Sequence, residues 1–294
     1  MTAAATSRRP ALVALGLLTL IWSYNWIVMK QALRYAGPFE FSALRYAFGS
    51  AVLFAALLLR RESLRPPPLL PTALIGLAQT MGFQVLVQSA LVTGGAGKIA
   101  LLAYTMPFWV VLLGWALFSE RPGTRLWCGL GAAAAGLVLV LEPWLGLGGA
   151  KNSLLALGGG LAWAIGVVFS KRLFQRGGIS ALSLTAWQML IGTLGVVAIA
   201  LCTHERTIEW SNYFIAALAY NAVLASGLAW LMWSYVVARL PANIAGLSSL
   251  VIPIAGVALA WALLGERPSA IEGAGIALLG VALAIVSLRR APPV

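Results

Sequence analysis

The side chains of this sequence that could do chemistry are few and mostly uncharged. Gln84 and Gln88, four residues apart, share one face of a helix, whereas Gln79 is turned well away. Trp187 precedes Gln188, and Ser226, Trp230 and Trp233 form one stripe at i, i+4 and i+7. Asn25, Tyr104, Thr105, Asn243, Ser248 and Ser249 also fall inside long apolar runs. Such groups donate and accept hydrogen bonds without exchanging protons near neutral pH. Two readings are open. They join helices across a bilayer, or they line a wet cavity that offers donors and acceptors to a zwitterion. Gln84 and Gln88 are assigned to the cavity. Trp163, Trp187, Trp230 and Trp233 lie deep in their runs, where an indole N–H needs a partner that lipid cannot supply. An aromatic wall suits planar substrates by stacking and cations by attraction to the ring face. The expected substrate-binding set is therefore Gln84, Gln88, Trp163, Trp187, Gln188, Tyr104, Asn25, Ser248, Ser249 and Trp230. Trp22 and Trp26 can serve there or at the membrane interface.

Catalysis is poorly supplied. There are eight acidic residues and one histidine, His204, which falls in a loop. Serine hydrolysis within a membrane needs a base near its serine, metalloproteases need clustered His and acidic ligands, and prenyl transfer needs paired Asp-rich sites. None of these patterns is present, so no catalytic or metal-binding residue is assigned, and no enzyme is expected. Cys128 and Cys202 lack metal-ligand spacing and read as buried small hydrophobes.

The elements that must position these residues are membrane spans. Apolar residues make up 61% of the 294 and charged residues 10%, against about 25% in a soluble domain. Spans of ~20 apolar residues are expected near 10–29, 39–59, 69–92, 97–118, 125–141, 153–174, 179–201, 211–237, 242–264 and 270–288. The first reads as an uncleaved span rather than a signal peptide. The net charge of +12 comes in short clusters between spans, a topology signal rather than a nucleic-acid surface. With the N-terminus inside, thirteen Lys and Arg fall on inner segments and seven on outer ones, Arg45 being counted with the outer group. That bias places both termini in the cytoplasm. No carboxylate lies near midplane, and no charged pocket is evident, which argues against strongly acidic cargo. Transport without an embedded proton-coupling carboxylate is expected.

The ten spans fall into two halves. MPFWVVLLGWALFSERP at 106–122 and IPIAGVALAWALLGERP at 252–268 share nine of seventeen positions, aligning Pro107 with Pro253 and Glu120 with Glu266. LIWSYNWIVMK at 20–30 lies over LAWAIGVVFSK at 161–171, pairing Trp22 with Trp163. Residues 1–145 and 150–290 thus form two five-helix repeats. Five is odd, so the second enters from the opposite side, giving an all-α fold of ten transmembrane helices in two inverted repeats. Such halves can exchange roles between inside-open and outside-open states, with substrate held between them. Pro107 and Pro253 lie inside spans four and nine, where proline kinks a helix, and are candidate gating hinges or static bends. Spans five and ten contain Gly and Ala with almost nothing polar, and read as scaffold or as a homodimer surface. Lys30, Lys98 and Lys171 sit at span ends, where snorkelling to the headgroups is the default and a carboxylate-attracting vestibule is an option for Lys98.

Ten spans, a duplicated unit and Pro-x12-Glu-Arg-Pro closing spans four and nine resemble EamA-type members of the drug/metabolite transporter superfamily. Within it, the Trp-rich interior is similar to YddG-type exporters of aromatic amino acids. The resemblance implies a multi-pass carrier in the bacterial inner membrane, exporting small metabolites, best matched by aromatic or hydrophobic amino acids, with no prosthetic cofactor. Its alternative cargo is a drug or hydrophobic cation. The small multidrug-resistance relatives carry a Glu in their first span; ALVALGLLTLIWSYNWIVMK has none.

Overall fold

The computed structural model describes residues 8–118, 123–141, 150–239 and 251–287. The described residues are helical with no strand. The helices are α1 (Arg8–Ala32), α2 (Pro38–Leu59), α3 (Leu69–Thr93), α4 (Ala96–Ala103), α5 (Met106–Phe118), α6 (Thr124–Leu141), α7 (Ala150–Gln175), α8 (Ala181–Cys202), α9 (Asn212–Arg239), α10 (Val251–Leu264) and α11 (Ala270–Ser287). Seven stretches are long and apolar enough to cross a membrane, and three shorter apolar helices occupy the places expected for spans five, nine and ten. The fourth span is broken. α4 ends at Ala103, and α5 begins at Met106. Pro107 therefore sits in the first turn of a new helix, where a missing N–H costs nothing, and does not kink a continuous one. Pro253 is buried near the start of α10.

Short polar devices end and begin the helices. Glu205 reaches from the α8–α9 connection to accept the Phe39 and Glu40 N–H groups at the start of α2. Ser180 and Ser211 cap α8 and α9 by accepting from Ser183 and Phe214. Lys30 does not snorkel; its ammonium donates to the Leu91 and Gly94 carbonyls, at 2.7 and 2.8 Å, closing the end of α3. Lys98 pairs with Glu272 at 2.6 Å. Cys128 and Cys202 are exposed rather than buried.

The helix pairings map onto themselves when the halves are exchanged. α1 packs on α9 and α10; its counterpart α7 packs on α3 and on α4 with α5. α2 packs on α9, as α8 does on α3. α2 with α8 and α6 with α11 are each a helix against its own counterpart, and α4, the first part of span four, packs on α10 of span nine. α6 and α11 meet at Gly136 and Gly275, whose missing side chains let the backbones touch. The correspondence reaches single side chains. At the α2–α9 crossing, Arg45 Nε donates to Ser226 Oγ at 3.0 Å beside Gly49. At the matching α8–α3 crossing, Thr80 Oγ1 donates to Gln188 Oε1 at 2.8 Å beside Gly192. Between them, Ser50 and Thr193 share a hydrogen bond of 3.4 Å.

Candidate functional site

Both middle spans contain a π-helical segment at equivalent positions, Gly76–Gly82 in α3 and Tyr220–Leu228 in α9. Each π turn inserts a residue and rotates the next stretch of helix by about 100° relative to a regular one. Phe83 and Gln84 come directly after the first segment, and Trp230 lies two residues beyond the second. The register that relates Pro107 to Pro253 also relates Gln84 to Trp230. All three side chains line one small cavity, with a free volume of about 30 Å³.

That cavity lies where the halves cross. α1 contributes Trp22, Asn25, Trp26 and Met29, and α2 contributes Arg45 and Tyr46. The break between α4 and α5 supplies Tyr104, and α7 supplies Trp163. The rings meet mostly edge to face: Trp22–Trp163 at 5.8 Å, Trp22–Trp230 at 5.2 Å and Tyr104–Trp163 at 5.2 Å between centroids. Trp22 Nε1 donates to the Ala225 carbonyl in the second π segment at 3.1 Å. Trp163 Nε1 and Asn25 Oδ1 are buried without a hydrogen-bond partner among the described residues. Gln84 is held from both ends: its Oε1 accepts from the Tyr46 hydroxyl at 3.0 Å, and its Nε2 donates to Ser42 Oγ at 3.1 Å.

The expected site residues divide. Gln84, Asn25, Tyr104, Trp163 and Trp230 line the cavity, as do Trp22 and Trp26. Gln88 does not; it is fully buried one turn away with both amide atoms unpaired. Gln188 joins helices through Thr80, and Trp187 is half-buried edge-on to Phe54. Ser248 and Ser249 lie outside the described residues.

The largest correction concerns charge. Arg45 is no outer-loop cation. It lies within α2, is 2% exposed, and lines the cavity. Its guanidinium also contacts Met29 Sδ through Nη1 at 2.8 Å and stands 4.9 Å from the Tyr46 ring centre. The pocket is therefore charged, contrary to the expectation from sequence. The signal was present, because Arg45 sits well inside the apolar run 39–59. Tyr46, Met29 and Phe83, which also line the cavity, carry no comparable signal in the sequence.

Two related bundles of apolar helices, seven of them long enough to cross a membrane, enclose a polar and aromatic cavity and define a multi-pass membrane protein. The sequence pattern of the EamA-like transporter family matches residues 9–142 and again 151–288. The chain belongs to that family and is a membrane transporter. A "Probable amino-acid metabolite efflux pump" of Salmonella typhimurium is 28% identical over 95% of each chain. The "Uncharacterized inner membrane transporter YedA" of Escherichia coli is 27% identical over 96% of this chain and 92% of its own. A solved crystal structure with 23% identity superposes with a TM-score of 0.70 over 95% of this chain and 97% of its own, a likeness of fold.

Proposed function

We propose that this transporter exports aromatic or hydrophobic amino acids, or metabolites derived from them, across the bacterial inner membrane by alternating access. The observation that carries the reading is the cavity itself. Its walls are aromatic and its polar groups converge from α1, α2 and α3, which supports a substrate site between two inverted halves, residues 1–145 and 150–290. The Lys and Arg bias supports cytoplasmic termini. Cargo binds against Trp163 and Trp230 with its polar end toward Asn25, Arg45 and Gln84. The halves then exchange conformations about the crossings, with the α4–α5 break at Tyr104 and the two π segments as the places where a span can bend. Among the described residues no cavity residue is a carboxylate, which supports a cycle without an embedded proton-exchanging acid. The rival cargo, a hydrophobic cation, would meet the ring faces but also the like charge of Arg45.

Reconstituted vesicles preloaded with labelled amino acids and hydrophobic cations test this by counterflow. Aromatic or aliphatic amino acids, or their derivatives, are expected to exchange, with Trp163→Ala and Gln84→Ala each lowering the rate at least tenfold. Exchange of cations alone, or full exchange in both variants, overturns the reading.

A further inference from the structure

Among the described residues the cavity holds a cation and no anion. Arg45 is nine-tenths buried or more, and none of the described residues lining the cavity with it is acidic. The ion pair found among the described residues, Lys98 with Glu272, lies elsewhere. A buried guanidinium without a partner costs several kcal/mol, and buried charges are ordinarily paired. Ser226 engages Nε, and Nη1 meets only a thioether, a weak acceptor. Nη2 has no hydrogen bond among the described residues. The Nη1–Nη2 edge is thus left for a bidentate acceptor, the geometry that a carboxylate fits.

The charge is not needed to build the crossing. At the equivalent position of the other half stands Gln188, which pairs with the hydroxyl of Thr80 as Arg45 pairs with Ser226. A neutral side chain closes the same joint. The two joints differ in that only the one with the charge opens into the cavity. Beside it, Asn25 Oδ1 is buried and unpaired, an acceptor for a neutral N–H donor.

We infer that the cargo is an aromatic or apolar carboxylate whose nitrogen carries no charge, an N-acylated amino acid above all. Its carboxylate is received by Arg45, its amide N–H by Asn25, and its side chain by Trp22, Trp163 and Trp230. This rests on the carrier reading and narrows it. A zwitterion brings an ammonium that finds no carboxylate here, and a cation is repelled outright.

Calorimetric binding to the full-length protein in nanodiscs tests it with four probes: N-acetylphenylalanine, N-acetylphenylalaninamide, phenylalanine and phenethylamine. The acid is expected to bind at least tenfold more tightly than either its amide or phenylalanine, with no detectable binding of phenethylamine. R45Q, which copies the residue of the other half, is expected to bring the acid down to the level of the amide. In the wild-type protein, equal affinity for acid and amide, or tighter binding of phenylalanine or phenethylamine, overturns the inference; these comparisons need no variant to fold. Trp163→Leu separates the two levels of the argument. If it abolishes binding of whichever probe binds, the cavity stands as the site even where Arg45 is not the anchor. If binding survives it, or none of the four probes binds, the cavity reading falls along with the inference.

Discussion

The Glu-Arg-Pro motif that ends span nine has a mechanical role that can be tested at Glu266. Its carboxylate accepts the Ala96 N–H at 2.9 Å and the Gly97 N–H at 3.1 Å, at the start of α4 in the other half. α4 is only eight residues long, too short to hold itself together. Each charge-assisted hydrogen bond contributes about 1.5–3 kcal/mol, and an anion at a helix N-terminus about 0.3–1 kcal/mol more. The site is partly exposed, so water will recover some of the loss. Glu266→Ala should then release the first turn of α4 by about 2–4 kcal/mol, and Glu266→Gln, which keeps one acceptor, by about 1–2 kcal/mol. Since 1.4 kcal/mol is a factor of ten, hydrogen exchange at the amides of residues 96–99 should accelerate roughly 30-fold or more in the Ala variant and roughly tenfold in the Gln variant. Lys98→Met is the control, because it breaks the neighbouring pair with Glu272 and spares the two capped amides. Unchanged exchange in Glu266→Ala refutes the reasoning. Equal acceleration in Lys98→Met assigns the restraint to the ion pair instead.

Other consequences are sharper in one measurement each. A methyl at Gly192 would run into Thr80 and the Gly76 carbonyl, whereas Gly131 has open space around it. Gly192→Ala should cost about 1–3 kcal/mol in thermal unfolding in detergent and Gly131→Ala nothing measurable; equal melting would show that the α3–α8 contact can relax. Ser226→Ala removes the Nε acceptor of buried Arg45 and should cost about 1.5–3 kcal/mol. Thr80→Val, which takes a neutral donor from Gln188, should cost about half that; the reverse order in denaturation would contradict the assignment of charge. Counterflow should persist when the proton gradient is collapsed, and loss of exchange under that treatment would reveal a coupled proton. An inside-negative potential should drive N-acetylphenylalanine outward, worth about 2.3 kcal/mol per charge per 100 mV, or about 50-fold accumulation; flux indifferent to potential would mean that no net charge is carried.

Much of the architecture was legible because bilayer thickness leaves few choices. Apolar runs gave helices at Pro38–Leu59 and Ala181–Cys202 within two residues of the expected 39–59 and 179–201. What was hidden was phase. A regular helical wheel places Gln84 and Gln88 together and Gln79 apart, but it assumes the same turn throughout. The π segment at Gly76–Gly82 breaks that assumption, yet Gln79, inside it, is still turned away from the cavity and packs against Gly166. Even within the regular part, Gln84 reaches the cavity while Gln88, one turn further on, is fully buried outside it. Proline misled for a related reason. Pro107 signalled an interruption, and the interruption lies at Tyr104 and Thr105, two to three residues earlier, where the chain can make a turn before the new helix starts. Arg45 was misplaced by a counting rule that treats every Arg as a loop marker. Hydropathy tolerates one charge in a long run, and only its position within that run distinguished it.

The pseudo-twofold order makes the departures from it informative. Helix pairings, π segments and the Ser–Thr and glycine contacts at the crossings repeat in both halves, as packing inherited from one ancestral unit must. At the cavity the repetition stops. Gln84 faces Trp230, Trp22 has a carbonyl for its indole while Trp163 has none, and Arg45 stands where the other half has Gln188. A rocking motion needs the first set to be alike, because both conformations must pack equally well. A cargo with one head and one tail needs the second set to differ, because a symmetric cavity would bind it equally well in two opposed poses. On the proposed reading, residues that break the symmetry inside the cavity are those under demand from the cargo. Among the described residues, the single charge that does so is Arg45.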